Sequence, residues 1–202
     1  MIDPAQGSAL GAVFLAYVLG CMCGGYYLVR LTTGEDLRLL GSGSLGATNA
    51  ARRLGRWAFP LVLVLDLGKG ALAVWAADRL GASEAVLAIA SGAVVLGHVV
   101  PIQLGFRGGK GVATSVGAWA VLAPWTLGLL AAASLPVIVL LRRKATGGML
   151  GYAGVAIAAW PLAKSPAIAL SIGLTAALVI VAHRDNLRRD LGLGKDKVNR
   201  EA

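Results

Sequence analysis

The sequence predicts an all-α membrane protein, a bundle of about seven transmembrane helices in a single domain that covers residues 1–202. Only 14% of the residues are charged, whereas charged residues make up about a quarter of a soluble domain. The mean hydropathy is +0.73, and 57% of the residues are hydrophobic. The basic residues also alternate between connections, as in multi-pass membrane proteins.

Seven apolar segments follow one another along the chain, and each predicts a helix. They cover residues 7–31, 57–77, 85–100, 112–123, 125–141, 147–162 and 166–182. The first begins without the basic residues of a signal peptide, so we expect it to be retained as a helix. The fourth is shorter than the roughly 20 residues that cross a hydrocarbon core, so it borrows flanking residues, crosses a thin region or fails to span.

The distribution of basic residues predicts the topology. Most of the 19 lysines and arginines lie in or beside the connections after the first, third, fifth and seventh segments. The opposite connections contain only Arg79 and Lys164, and Lys69 lies within the second segment. The positive-inside rule then places the N-terminus outside and the C-terminus in the cytoplasm. Because the membrane accounts for the net charge of +9, we expect no nucleic-acid partner.

Three polar segments fall on the predicted cytoplasmic face. They are GSGSLGATNAARRLG at 41–55, GHVVPIQLGFRGGKGVATS at 97–115 and HRDNLRRDLG at 183–192. Taken singly, each is as consistent with a tight connection or a basic anchor on anionic headgroups as with a site. Anchoring needs charge alone, however, and these segments also contain hydroxyl, amide and imidazole side chains. Together they favour a binding site at this face.

The first two segments have the chemistry of phosphate sites. Glycines allow successive backbone N–H groups to face one centre, and the hydroxyls of Ser42, Ser44 and Thr48 add donors. Arg52 can donate two hydrogen bonds to one phosphate. Lys110 adds a compact positive charge on a loop whose glycines permit close approach. Two such sites predict two anionic groups.

Residue identity argues against several other kinds of site. A nucleotide-binding P-loop would need glycine and a hydroxyl residue where Leu104 and Gly111 stand. The two histidines and the cytoplasmic acids lack the spacing of metal ligands, so no metal is expected. Cys21 and Cys23 lie within the first apolar segment and predict small buried residues rather than a disulfide or a zinc site.

The three polar segments, in this order and on one face, resemble the signature motifs of the bacterial acyl-phosphate:glycerol-3-phosphate acyltransferases. DLGKG at 66–70 and GEDLR at 34–38 are also similar to that family, so the resemblance covers most of the chain. It implies transfer of a fatty acyl group from acyl phosphate to the 1-hydroxyl of glycerol 3-phosphate, which gives lysophosphatidic acid and phosphate. No cofactor is implied. We expect a monomer in the bacterial inner membrane, with its active site on the cytoplasmic face.

The resemblance also implies roles for individual residues. It places phosphate beside residues of the first and second motifs, namely Ser42, Gly43, Ser44, Thr48, Asn49, Arg52, Gly108, Gly109, Lys110 and Gly111. At the position of Ser44 the family more usually has Asn. The reacting centre would contain His183 and Asn186 of the third motif. Lys110 or Arg52 would neutralise the leaving phosphate, and the hydroxyl proton would pass to His183 or to a substrate phosphate.

Polar residues within the apolar segments have structural interpretations. Asp66 and Lys69 are three apart and so share one helical face. Because charge at membrane depth is costly and is usually paired, we favour a mutual ion pair over a substrate contact. His98, beside Val99 and Pro101, is likewise favoured as a structural residue.

Two functions of other classes are also compatible with a helix bundle that has anion-binding loops. A transporter of phosphate esters or organic anions would have its site near the bilayer midplane, whereas the three motifs share one face. A non-catalytic lipid-binding scaffold would leave His183 and Asn186 unexplained. Acyltransferases that use His followed five residues later by Asp are excluded, because Gln103 and Arg188 stand at those positions.

Overall fold

The structure, a computed structural model, describes residues 4–193; residues 1–3 and 194–202, including the basic residues Lys195, Lys197 and Arg200 of the predicted cytoplasmic tail, lie outside this range. Residues 4–193 form ten α-helices and no strand, which confirms the predicted all-α class. The helices are α1 (Pro4–Cys21), α2 (Gly24–Thr33), α3 (Ala47–Leu54), α4 (Ala58–Arg79), α5 (Glu84–Val99), α6 (Val112–Leu122), α7 (Trp125–Leu141), α8 (Lys144–Leu162), α9 (Pro166–Ala182) and α10 (Arg184–Asp190).

All seven predicted apolar segments are largely helical. Two stretches, Ala58–Arg79 and Glu84–Leu104, are long and apolar enough to cross a membrane. The pairs α1 with α2 and α9 with α10 meet the same criterion together, but they are bent by 44° and 60° at their breaks. Length and composition therefore give two to four candidate spans over the described range, and the count of seven stays a prediction.

The first apolar segment is two helices rather than the single helix expected from its hydropathy. The chain leaves the helix at Met22 and Cys23 and re-enters it at Gly24. A Cβ on Gly25 would lie 2.2 Å from the carbonyl oxygen of Leu45, so the first polar motif packs directly on the backbone of α2. The bend thus carries α2 to the loop that contains the motif. Cys23 is buried and free, as is Cys21, in agreement with the predicted small buried residues.

Glycines allow two pairs of helices to pack backbone against backbone. In both pairs a Cβ on the glycine would come within 2.0 to 2.2 Å of a carbonyl oxygen on the neighbouring helix. The glycines are Gly20 and Gly97 between α1 and α5, and Gly70 and Gly117 between α4 and α6. Small residues at such contacts are typical of membrane bundles. Because α6 begins within the second polar motif, at Val112, its close packing on α4 brings that motif toward the first.

The fourth apolar segment is the buried helix α6. Its 11 residues extend about 16 Å, roughly half of a hydrocarbon core. Trp119 of α6 and Tyr152 of α8 are fully buried, with ring centroids 5.3 Å apart. The Tyr152 hydroxyl also lies 2.6 Å from Oγ of Ser115. These contacts fix α6 against α8, with its N-terminus at the level of the polar motifs.

Candidate active site

The three polar motifs meet at one cavity of about 360 Å³, called the polar cavity below. It is bordered by Ser42, Ser44, Gly46, Ala47, Thr48, Asn49, Arg52, Phe59, Leu63, Asp66, His98, Lys110, Gly111, Val112, Ala113, His183, Asn186 and Arg189. The structure therefore brings most of the sequence-predicted site residues together. Gly43, Gly108 and Gly109 do not border it.

The first motif folds into a compact loop around Asn49. This side chain is buried, and its Oδ1 accepts from the backbone N–H of Ser42 (3.2 Å). Its Nδ2 donates to the carbonyls of Leu40 (2.9 Å) and Ser44 (3.0 Å). Gly43 turns the loop with a φ of +70°, where a residue with a Cβ would be strained. Asn49 therefore borders the cavity, but its amide holds the loop together instead of being free for the phosphate contact expected of it.

The second motif packs on His98 at the end of α5. The N–H groups of Gly108 and Gly109 donate to the carbonyls of Val99 (3.2 Å) and His98 (2.9 Å). A Cβ on Gly109 would lie 2.1 Å from Nε2 of His98, and a Cβ on Gly108 would lie 2.1 Å from the His98 carbonyl oxygen. These two glycines thus seat the loop against α5, and their N–H groups are occupied rather than free for phosphate. Their packing places the next residue, Lys110, at the cavity.

A buried network lies beneath this loop. The predicted ion pair is present, because Nζ of Lys69 is 2.9 Å from Oδ1 of Asp66. Lys69 also donates to the carbonyls of Gly20 (3.1 Å) and Met22 (3.0 Å) at the break after α1. Its Nζ lies 2.7 Å from Nδ1 of His98, which must act as the acceptor, so the imidazole proton is on Nε2. The network joins α1, α4 and α5, and two of its members, Asp66 and His98, border the polar cavity.

Two helices begin at the polar cavity. α3 starts after Gly46 and α6 starts after Gly111, and both glycines border the cavity. Gly111 has a φ of +82°, a left-handed conformation that favours glycine. The N–H groups of a first helical turn have no partners within the helix and carry partial positive charge. The two N-termini are therefore oriented to bind anions.

Positive charge is concentrated around the same space. Arg52, Lys110 and Arg189 all border the polar cavity. Burial lowers the pKa of Lys110, and the neighbouring Arg189 and Arg52 lower it further, while Asp185 opposes them. A phosphate placed among these three side chains would relieve their mutual repulsion. The arrangement is thus suited to a dianionic group.

His183 stands at the bend between α9 and α10. Its Nδ1 lies 2.9 Å from the carbonyl oxygen of Val179, and only a protonated nitrogen can donate to that acceptor. In the neutral ring this leaves Nε2 without a proton. Burial lowers the pKa of His183, the bond to Val179 partly restores it, and the charge of Lys110 lowers it again. The imidazole is therefore held in the neutral tautomer that can accept a proton at Nε2.

Asn186 is oriented by Arg189, a residue that the sequence analysis did not assign to the site. Nη2 of Arg189 donates to Oδ1 of Asn186 (2.5 Å), so the amide Nδ2 is the group left to face a ligand. The signal for Arg189 was its spacing, because residues three apart on a helix share one face. Both residues border the polar cavity.

A second space, called the apolar groove below, adjoins the polar cavity and has a volume of about 700 Å³. It runs between α6, α7 and α8, and α10 crosses one end of it; its hydrophobic lining includes Val116, Leu127, Leu130, Leu135, Ile138 and Met149. The residues that border both spaces are Arg52, Val112, His183, Asn186 and Arg189. A ligand with a phosphate head and a hydrocarbon chain can occupy both spaces, with its junction beside the third motif.

Comparison with known proteins agrees with this architecture. The family model for glycerol-3-phosphate acyltransferase matches residues 10–192. The chain is 40% identical over 176 residues to glycerol-3-phosphate acyltransferase 1 of Desulfitobacterium hafniense, with 87% of each chain covered. It is 43% identical over 189 residues to the glycerol-3-phosphate acyltransferase of Rhodospirillum rubrum, with 89% of this chain and 87% of the relative covered.

Two crystal structures of PlsY (YgiH), an integral membrane glycerol 3-phosphate acyltransferase, have the same fold. The glycerol 3-phosphate form has a TM-score of 0.82 at 32% identity, and the lysophosphatidic acid form has a TM-score of 0.81 at 30% identity. Each match covers 94% of this chain and 95% of the solved chain. The chain therefore belongs to the glycerol-3-phosphate acyltransferase family of integral membrane proteins.

Proposed function

We propose that the chain transfers a fatty acyl group from an acyl phosphate to the 1-hydroxyl of glycerol 3-phosphate, giving lysophosphatidic acid and inorganic phosphate. The observation that carries this proposal is that a cationic cavity and an apolar groove meet at His183 and Asn186. A phosphorylated acceptor matches the cavity, and the chain of an acyl donor matches the groove. The reacting atoms of the two substrates would then lie at the junction.

Both substrates present a phosphate to the same cluster of donors. Arg52 offers a planar pair of N–H groups that suits one phosphate, and Lys110 offers a point charge. The hydroxyls of Ser42, Ser44 and Thr48 and the first-turn N–H groups of α3 and α6 complete the cluster. The two loops that contain this cluster are held in shape by Asn49, Gly43, Gly108 and Gly109.

The transfer itself needs no acyl-enzyme, because the acyl phosphate is already activated. The 1-hydroxyl oxygen attacks the acyl carbon, and the bond between that carbon and the phosphate oxygen breaks. The departing phosphate takes the bonding electrons, and Lys110 neutralises the charge that grows on it. The hydroxyl proton passes to Nε2 of His183, the ring nitrogen left free by the bond to Val179.

Asn186 acts beside His183, the proposed base. Since Arg189 occupies its Oδ1, the Nδ2 group can donate to the acyl carbonyl oxygen as that oxygen gains charge. Hydrogen bonds that strengthen as charge develops lower the barrier without tightening substrate binding. Asn186 is therefore assigned to the transition state rather than to the binding of either phosphate.

The direct test uses purified protein in lipid nanodiscs with acyl phosphate and glycerol 3-phosphate. We expect lysophosphatidic acid and inorganic phosphate to form in equal amounts. The same protein in proteoliposomes, without an acyl donor, should not carry labelled glycerol 3-phosphate across the bilayer. Uptake without product would assign the chain to transport, and binding with neither activity would assign it to a lipid-binding scaffold.

The groove assignment predicts a change of acyl-chain selectivity in Gly148→Leu. Gly148 borders the apolar groove, and a Cβ built on it meets no atom within 4 Å, so a leucine would extend into the space left for the acyl chain. Displacing two or three methylenes should lower kcat/KM for palmitoyl phosphate by about 15- to 50-fold, with little change for octanoyl phosphate.

The matched control for Gly148→Leu is Gly173→Leu on α9. Gly173 also has no atom within 4 Å of a built Cβ, but it borders neither the cavity nor the groove. It should keep the wild-type selectivity. Equal losses for long and short donors in Gly148→Leu would place the acyl chain elsewhere.

We propose seven crossings with the N-terminus outside and the active site on the cytoplasmic face, supported by the alternation of basic residues. In intact cells, Ser44→Cys should resist a membrane-impermeant thiol reagent until the cells are permeabilised. Lys164→Cys, in the exposed connection between α8 and α9, should react from outside. Reaction of position 44 from outside would reverse the proposed orientation.

A further inference from the structure

The N-terminus of α8 is capped by a residue from a distant helix. Its own N-cap residue is Arg143, whose side chain makes no capping hydrogen bond. Oδ2 of Asp190, at the end of α10, accepts instead from the backbone N–H of Ala145 (2.7 Å) and of Thr146 (3.1 Å). A carboxylate at this position satisfies two N–H groups and also interacts favourably with the helix dipole. The contact therefore joins two helices that are far apart in sequence.

Within residues 4–193, few other contacts hold α10 in place. The helix has seven residues, and none of them is buried. A helix this short is marginal without tertiary contacts, and α10 leaves α9 at a bend of 60°. One end is fixed by its continuity with α9 through His183. The bond from Asp190 to α8 supplies a fixed point at the other end.

The spacing of α10 connects this fixed point to the site. Asn186 and Asp190 are four residues apart and so lie on one helical face. Both border the apolar groove, as do Ala145 and Lys144 on α8. Arg189, which orients Asn186, precedes Asp190 directly. A displacement of Asp190 from α8 would therefore move Asn186 and Arg189 at the junction of groove and cavity.

We propose that Asp190 is a positioning residue for the acyl transfer: by capping α8 it holds α10 across the end of the groove and keeps Asn186 and Arg189 at the reacting centre. This role rests on the function proposed above. Asp190 itself contacts neither phosphate in this assignment, and it acts only through the helix that it anchors.

Hydrogen exchange tests the cap independently of activity. In Asp190→Ala, the amides of Ala145 and Thr146 should exchange about fivefold faster than in the wild-type protein, because a capping acceptor is lost. In Asp190→Asn they should stay near the wild-type rate, since Asn caps helices about as well as Asp. Amides of α4 and α5 should be unchanged in both variants, which shows that the bundle is folded. Unchanged exchange at Ala145 and Thr146 in Asp190→Ala would overturn the cap, whatever the enzyme's activity.

Kinetics test the consequence for catalysis. Asp190→Ala should lower kcat per folded molecule on the order of 10- to 100-fold, the effect of misplacing a reacting group by about 1 Å. The KM for glycerol 3-phosphate should rise by a smaller factor than kcat falls, because Arg189 is displaced while Arg52, Lys110 and the phosphate donors of α3 and α6 stay in place. Asp190→Asn should retain most of the turnover. The matched control is Arg188→Ala, an exposed side chain on α10 that borders neither space, and it should behave as wild type.

The pH profile separates positioning from chemistry. The decrease of kcat at low pH is called the acid limb below. If Asp190 only anchors α10, the acid limb keeps its midpoint in Asp190→Ala, and only the maximal kcat falls. Loss of that limb, or turnover as low in Asp190→Asn as in Asp190→Ala, would overturn the proposal. Turnover of Asp190→Ala within twofold of wild type would do so as well. Faster exchange at Ala145 and Thr146 in a protein with no wild-type acyltransferase activity would leave the cap intact and refute only the proposed function.

Discussion

His183→Ala is expected to lower kcat by about 10² to 10⁴, the usual contribution of a general base. The substitution removes Nε2, the nitrogen that the bond from Nδ1 to Val179 leaves free to accept a proton. Binding of both phosphates should persist, because their donors lie on α3, α6 and the second motif. Initial rates at saturating substrate, normalised to folded protein, give the measurement. Arg184→Ala, at the next and exposed position, is the matched control and should keep wild-type turnover.

The pH dependence identifies the base more sharply than the loss of rate. Burial lowers the pKa of His183 below its ordinary value of 6.5. Since the neutral ring is the active form in the proposed mechanism, the wild-type rate should be constant at neutral pH and fall as the pH drops through that lowered pKa. His183→Asn keeps a hydrogen-bonding side chain but has no group that titrates, so it should be as inactive as His183→Ala. Near-normal turnover in His183→Asn would give His183 an orienting role and transfer proton removal to a substrate phosphate.

The sequence predicted the helices well because their signal is local. A long apolar run in lipid favours a helix, because a helix satisfies the backbone hydrogen-bonding groups within the segment itself. The break between α1 and α2 has no such local signal. It depends on tertiary contacts, namely the loop at Leu45 against Gly25 and the donation from Lys69 to the carbonyls of Gly20 and Met22. Neither contact can be predicted from a hydropathy pattern.

Of the site residues, too, some could be predicted from the sequence and others could not. The motif positions with charged or hydroxyl side chains were predicted from chemistry, and the structure gathers them at one cavity. Gly108 and Gly109 of the second motif were predicted as phosphate contacts, yet they serve to pack the loop on His98, whereas Gly111 borders the cavity. A glycine beside a lysine gives the same sequence pattern whether the glycine binds phosphate or packs the loop. The distinction requires knowing which backbone or side chain lies opposite, and this depends on the whole bundle.

Contacts between distant helices were the least predictable. Asp190 follows Ala145 by 45 residues and Thr146 by 44, and no sequence pattern links a carboxylate to N–H groups at that separation. The role of Arg189 was easier to predict, because its i+3 spacing from Asn186 is visible in the sequence. What could not be seen is that Arg189 also approaches Lys110 from another helix.

Lys110→Ala should lower kcat by about 10² to 10³, as loss of a transition-state charge partner does. In the proposed mechanism Lys110 faces the charge that grows on the leaving phosphate, so its removal should affect turnover more than binding. Arg52→Ala provides the contrast. Arg52 is proposed to bind a phosphate that is charged in both the ground state and the transition state, so its loss should mainly raise the KM for one phosphorylated substrate. Arg107→Ala, an exposed basic residue three positions before Lys110, should change neither constant.

Lys110→Ala should also move the pH profile, because the charge of Lys110 lowers the pKa of His183. Without that charge the pKa of His183 rises, and the acid limb of the residual activity should shift to higher pH. Arg107→Ala should leave the limb in place. A loss of turnover in Lys110→Ala with an unshifted limb would mean that the titrating group is not His183. A shifted limb with wild-type turnover would mean that Lys110 lies beside the base but not beside the leaving phosphate. Only the two effects together agree with a lysine placed between the departing phosphate and the imidazole that accepts the proton.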